Sequence, residues 1–198
     1  MTIYQFETAE DVDLGTTYVN QEGTYHIVVV EIEDRPQDEG GRAQDYLQVT
    51  GVILAGTAVS QAGRLVRLRF FPPNLNSRDQ GKFAKKKLTR FFEAINFTSP
   101  ETRGKNVAIE LDHAVGRQFI AEIERQTYEV RHGKRAGQTA ERFDLAFASI
   151  FHVDDPAVKD IPKEKTAIAQ LPKALRRDAK SFQKRSAVLT AEVSLDDI

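Results

Sequence analysis

The chain contains no cysteine, which removes disulfides, thiolate zinc sites and cysteine nucleophiles at once. That absence suits a reducing compartment. No apolar run approaches the roughly 20 residues that cross a bilayer; the longest are short, such as residues 27–30. The opening stretch MTIYQFETAEDVDLG is acidic and lacks the basic-then-apolar order of a secretory signal. A soluble protein of the cytoplasm, without a membrane partner, is expected. There is no Gly-rich phosphate loop, no GxSxG and no HExxH. His26, His113, His132 and His152 fall in separate segments. Asp154 and Asp155 follow His152 and invite a metal site, but a strand-ending turn before Pro156 explains them better. Glu122 and Glu124 share a strand face, as alternation routinely produces. No catalytic residue, cofactor or metal is expected.

What is present is an ordinary soluble composition over 198 residues, 40% hydrophobic and 29% charged. The net charge of −1 conceals a strong segregation. Residues 1–62 hold 2 basic and 11 acidic side chains, whereas residues 63–105 hold 11 basic and 3 acidic. Residues 106–162 return to a net −3, and residues 163–198 to +3. An anionic partner is therefore suggested by the distribution and not by the total.

The order of elements reads as follows. Residues 1–22 form a lead-in. Residues 24–34, TYHIVVVEIED, make a strand with Tyr25, Ile27 and Val29 on one face and Val28, Val30 and Ile32 on the other, so it is central or covered. Residues 45–56 make a second strand, with Gly51 marking a bend or bulge. After a short turn at SQAG, residues 64–71 pair with it as a third strand, which Pro72 and Pro73 stop. Ser77 and Gln80 supply a capping box, and Ala84, Leu88, Phe91, Phe92 and Ile95 fall on one helical face. Residues 106–111 and 117–130 read as strands. Residues 141–151 are a last strand, with Phe143, Leu145, Phe147 and Phe151 on one face. A basic helix is expected over residues 173–184, followed by the short acidic end SLDDI. Three strands, a helix and further strands are the order of an OB-fold, a five-stranded, partly open Greek-key barrel plugged by a helix. The expected organisation is a mainly β, OB-fold-like domain over residues 23–162, with residues 163–198 as a basic helix and acidic tail.

Candidate binding residues follow from that frame. On the third strand Val66, Leu68 and Phe70 form the core set, leaving Arg67, Arg69 and Phe71 to face outward. Two outward arginines alone would read as a solvated edge. An adjoining phenylalanine makes them a platform for guanidinium–phosphate pairing and base stacking. Tyr46, Gln48 and Thr50 neighbour it on the second strand. The loop RHGKRAGQTA carries Arg131, His132, Lys134 and Arg135 in the place of a clamp loop, preceded by Tyr128 as a stacking candidate. On the helix Lys82, Lys86 and Arg90 form one stripe, flanked by Lys85 and Lys87; like charges at that spacing call for an anion nearby.

GTYHIVVVEIED, RLVRLRFFPPN, KKKLTRFFEAI, GRQFIAEIERQTYE and FDLAFASIFHVDDP, in that succession, resemble a group of bacteriophage and prophage single-stranded DNA-binding or recombination-associated proteins. Leu88, Phe91, Ala94 and Ile95 match that group's helix pattern, and Val153 to Pro156 its closing v-D-D-P. The resemblance covers residues 23–156 and implies a role in phage or mobile-element DNA replication or recombination inside a bacterial host. The end of the chain, Asp196, Asp197 and Ile198, is similar in kind to the acidic tails by which bacterial single-stranded DNA-binding proteins recruit replication partners. The expected ligand is single-stranded DNA, with RNA as a second candidate. A different reading is an assembly module whose acidic and basic blocks pair between subunits as a homo-oligomer. A nuclease ranks third, for want of clustered carboxylates.

Overall fold

The computed structural model describes residues 18–36, 45–71, 78–130, 136–178 and Phe182. The chain is mainly β: among the described residues it is an open antiparallel sheet with two α-helices. Its strands are β1 (Gly23–Arg35), β2 (Tyr46–Gly56), β3 (Leu65–Phe70), β4 (Gln118–Glu129) and β5 (Thr139–Phe151). They lie in the order β3-β2-β1-β4-β5, so β1 is central as its two apolar faces require. An isolated parallel bridge adds Tyr18 to the outer edge of β3. Helix α1 (Arg78–Ala94) connects β3 to β4, and α2 (Lys165–Ala169) follows β5.

Tyr25, Ile27, Val49, Val66, Leu68, Phe91 and Phe119 are each fully buried in one core between α1 and one face of the sheet. Phe91 is its centre, stacked on Phe70 at 4.7 Å and edge-on to Phe119 at 5.5 Å. Helix α1 ends where Asn96 takes a φ of 58°. The Asn96 N–H bonds Glu93 O, the Phe97 N–H bonds Phe92 O, and the Phe92 and Phe97 rings meet, which together form a Schellman stop.

Two irregularities shift what the strands present. In β1, Val29 pairs with Gly51 and Glu31 with Thr50, so Val30 is bulged out and 41% exposed. Beyond it the alternation reverses. Ile32, expected opposite Ile27 and Val29, packs instead on the same core, and Glu31 and Glu33 turn outward. Gly51 sits opposite this bulge, where a Cβ would lie 2.4 Å from Ile27 Cγ2. In β5, a step of two residues along β4 (Ala121 to Ile123) is matched by a step of five along β5 (Ile150 to Leu145). Phe151 is thereby carried off the face of Phe143 and Leu145 into a second cluster with Ile120, Val153 and Val158, correcting the expectation of one common face.

Two expected elements differ from their sequence reading among the described residues. Residues 106–110 form no strand; a 3-10 turn at Leu111–Ala114 leads into β4 instead. Of the helix expected over residues 173–184, Lys173–Leu175 form a 3-10 turn and residues 176–178 no helix, while residues 179–181, 183 and 184 lie outside the described residues. The Arg177 N–H, which a continuing helix would donate backward, is given to Asp154 Oδ2 at 3.0 Å. Pro72, Pro73 and Ser77 lie outside the described residues.

Candidate nucleic-acid interface

Arg67, Arg69 and Phe71 face outward as the alternation of β3 predicts, while Val66, Leu68 and Phe70 are buried. The Phe71 ring is 43% exposed and lies 5.8 Å from that of Tyr46. The Arg69 guanidinium stands 5.4 Å over the Tyr46 ring, a cation–π contact. Arg67 stands 4.8 Å over Tyr18 and donates to its hydroxyl. The surface is thus a line of rings and guanidinium groups, from Tyr18 through Arg67 and Arg69 to Tyr46 and Phe71. Among the described residues no carboxylate lies within ion-pair distance of Arg67 or Arg69. From residue 67 to residue 71 an extended strand covers about 13 Å, room for three or four bases at roughly 3.4 Å each.

Behind the arginines the sheet carries two polar rows. Arg67 is opposite Thr50, which is opposite Glu31; Arg69 is opposite Gln48, which is opposite Glu33. Thr50 donates to Glu31 Oε2 at 3.2 Å, and Gln48 to Glu33 Oε2 at 3.1 Å. Arg35 also holds Glu33. Gln48 and Thr50 are buried between their neighbours, which fixes their orientation. Tyr18, Glu31 and Glu33 are the members of this surface that sequence reasoning missed. A bulge at a β-branched residue leaves no local signature, although the i, i+2 acids of EIED could have raised the question.

Tyr128 does not join this surface. Tyr46 is opposite Arg35 at the C-terminal end of β1, whereas β4 passes Gly23 at Ile123 and continues past the N-terminal end to Tyr128. There Tyr128 is 44% exposed and carries Arg142 over its ring at 5.6 Å. On α1, Lys82, Lys85 and Lys86 are exposed, while Arg90 is partly buried. Lys87 turns inward, 5.5 Å from the Phe70 ring and 3.9 Å from Asp144. Burial pushes its ammonium below the ordinary lysine value, against the pull of Asp144. Arg131, Lys134, Arg135, Asp196, Asp197 and Ile198 lie outside the described residues.

The basic stretch after α2 is engaged within the fold where it is described. Asp154 accepts from Arg176 at 2.7 and 2.8 Å, and Arg177 donates to Asn96 Oδ1, to Glu93 O and to Thr98 O. Asp154 and Asp155 do form a turn: the Asp155 side chain accepts from Ala157 N–H at the start of a 3-10 turn, Pro156–Val158. His152 is buried, with Nδ1 accepting from the Asp154 N–H and Leu175 O 3.0 Å from Nε2. Burial, then the nearby Arg177 charge, lowers its pKa to about 4. His26 is buried on the covered side of β1, between Gln118 and the Glu164 N–H, and burial lowers its pKa as well.

Compared with known proteins, the chain matches no protein-family model and no curated protein.

Proposed function

We propose that the protein is a non-enzymatic, sequence-tolerant binder of single-stranded nucleic acid, DNA in the first place. The observation that carries this reading is the outward line Tyr18, Arg67, Arg69, Tyr46 and Phe71, with both guanidinium groups free of carboxylate partners among the described residues. Arginines would hold phosphates and the rings would stack bases. The strand order β3-β2-β1-β4-β5 with α1 between β3 and β4 agrees with an OB-like reading, and that fold binds oligonucleotides over strands two and three. Lys87 adds to this, reaching from α1 to Phe70 of β3 and Asp144 of β5, the two edge strands. Lys82 and Lys86 form a secondary track. A part in phage or mobile-element replication or recombination rests on the resemblance of residues 23–156. Fluorescence anisotropy with labelled single strands, oligo-dT among them, tests the reading. It predicts binding at low salt that falls steeply as salt rises and weakens in Arg67→Ala/Arg69→Ala. Absence of binding at low salt, or unchanged affinity in that variant, defeats it.

A second reading, assembly, draws on the same rows. A face with arginines on β3 and glutamates on β1 is self-complementary if a second copy lies across it in the opposite direction. Light scattering separates the two: a salt-dependent oligomer that ignores oligonucleotides supports assembly.

A further inference from the structure

The two polar rows run across the sheet, and their ends have opposite chemistry. Arg67 and Arg69 stand on edge strand β3, whereas Glu31 and Glu33 stand two strands away on β1. Two strand spacings are about 10 Å, a distance comparable to the reach of one nucleotide from its phosphate to the far edge of its base. Between them, Tyr46 offers its ring, and Gln48 and Thr50 are spent on orienting the carboxylates. Each glutamate uses Oε2 for those internal bonds, and neither Oε1 has a hydrogen-bond partner among the described residues. Glu33 retains 33% of its side-chain exposure and Glu31 is exposed, so both oxygens are open to a ligand.

Carboxylates this close to a phosphate track oppose a polyanion. A surface serving only the backbone would gain from losing them. They become useful if phosphates lie over β3 and the bases reach across β2, so that each base edge arrives at a fixed acceptor. A carboxylate only accepts. Cytosine presents its N4 amino group, and guanine presents N1–H beside its N2 amino group. Thymine and uracil flank a single N–H with two carbonyl oxygens, which meet the carboxylate lone pairs unfavourably.

Resting on the single-strand-binding reading above, we infer that Glu31 and Glu33 are specificity-determining residues that favour cytosine and guanine over thymine and uracil. The preference is graded, because stacking and phosphate contacts serve every base. The arginines set how tightly a strand is held, and the glutamates set which bases lie best.

The test compares labelled oligo-dC, oligo-dT and an alternating dT/dG strand of equal length by fluorescence anisotropy at one fixed salt concentration. The wild type is expected to bind oligo-dC and the dT/dG strand about tenfold more tightly than oligo-dT, within the discrimination one good base contact supplies. In Glu31→Gln/Glu33→Gln, which keeps size and shape, oligo-dT is expected to bind more tightly than before and the ratio to fall close to one. Circular dichroism and thermal unfolding of that variant verify its fold. Equal wild-type affinity for the three strands overturns the inference and leaves the single-strand reading standing. A variant that binds all three more tightly by the same factor also overturns it, since the carboxylates would then act through bulk charge alone. No binding to any strand removes both readings together.

Discussion

Asp154 grips the Arg176 guanidinium through both carboxylate oxygens, at 2.7 and 2.8 Å, and takes the Arg177 N–H as a third donor. Partial burial works to raise this carboxyl, but the Arg176 and Arg177 hydrogen bonds outweigh it and leave the pKa below its ordinary value. Asp154 thereby holds the segment after α2 in place, and Arg177 donates to Glu93 O near the C-terminal end of α1 and to Thr98 O beyond it.

Asp154→Ala should release that segment. With hydrogen bonds to charged groups worth about 1.5–3 kcal/mol and Arg176 partly solvated, a net loss of about 1–3 kcal/mol is expected. Urea denaturation measures it, and trypsin cleavage after Arg176 should become fast. An unchanged midpoint together with unchanged cleavage would show that the clamp does not hold the segment.

Stability should fall as pH drops from about 6.5 toward about 4. His152 is neutral in the fold, with its pKa lowered to about 4, while in the unfolded chain it titrates near 6.5. The unfolded state therefore binds the extra proton throughout that window, so stability is complete above it and is lost going down. The slope is on the order of 1.4 kcal/mol per pH unit. His26, lowered by burial, acts in the same direction. Denaturation curves between pH 4 and pH 7 for the wild type and His152→Gln are decisive: the variant should lose a large part of the slope.

Gly51→Ala should destabilise the sheet by about 1–3 kcal/mol, the usual cost of overpacking. The added methyl meets Ile27 Cγ2 at 2.4 Å and the Val28 carbonyl at 3.0 Å. A guanidinium titration that finds no loss would mean that the β1 bulge can yield.

Phe71→Ala should weaken single-strand binding by about 1–3 kcal/mol, the contribution of one stacked base. Its ring is 43% exposed and lies outside the main core, so the unfolding midpoint should stay within error. Affinity that survives the substitution argues against stacking at this position.

Adjacent lysines of α1 should behave differently. Lys86 is exposed, so Lys86→Ala should reduce the salt dependence of binding by about one phosphate contact with no effect on stability. Lys87 is packed between Phe70 and Asp144. Lys87→Ala should lower stability by about 1 kcal/mol and leave the salt dependence alone. Paired thermal melts and salt titrations separate the two outcomes.

The sequence by itself determined whatever depends on local alternation and local stereochemistry. Period-two patterning placed Val66, Leu68 and Phe70 inward and Arg67, Arg69 and Phe71 outward, because a regular strand leaves each side chain only two directions. Helical periodicity set the buried face of Phe91 and Ile95 in the same way, and the turn of Asp154 and Asp155 was legible from the preferences of those residues before a proline. Tertiary structure alone decided what depends on a partner strand or a distant side chain. The bulge at Val30 exists because β1 must keep register with β2 across Gly51, and it turns Glu31 and Glu33 toward the arginine face. The expected C-terminal helix does not continue through residues 176–178, where Asp154, more than 20 residues earlier in the chain, takes the Arg177 N–H that a helix would have used. Lys87 departs from its lysine neighbours because two strands meet it from below. Each of these is a long-range contact overriding a local preference worth less than 1 kcal/mol per residue, and no window of sequence contains both partners.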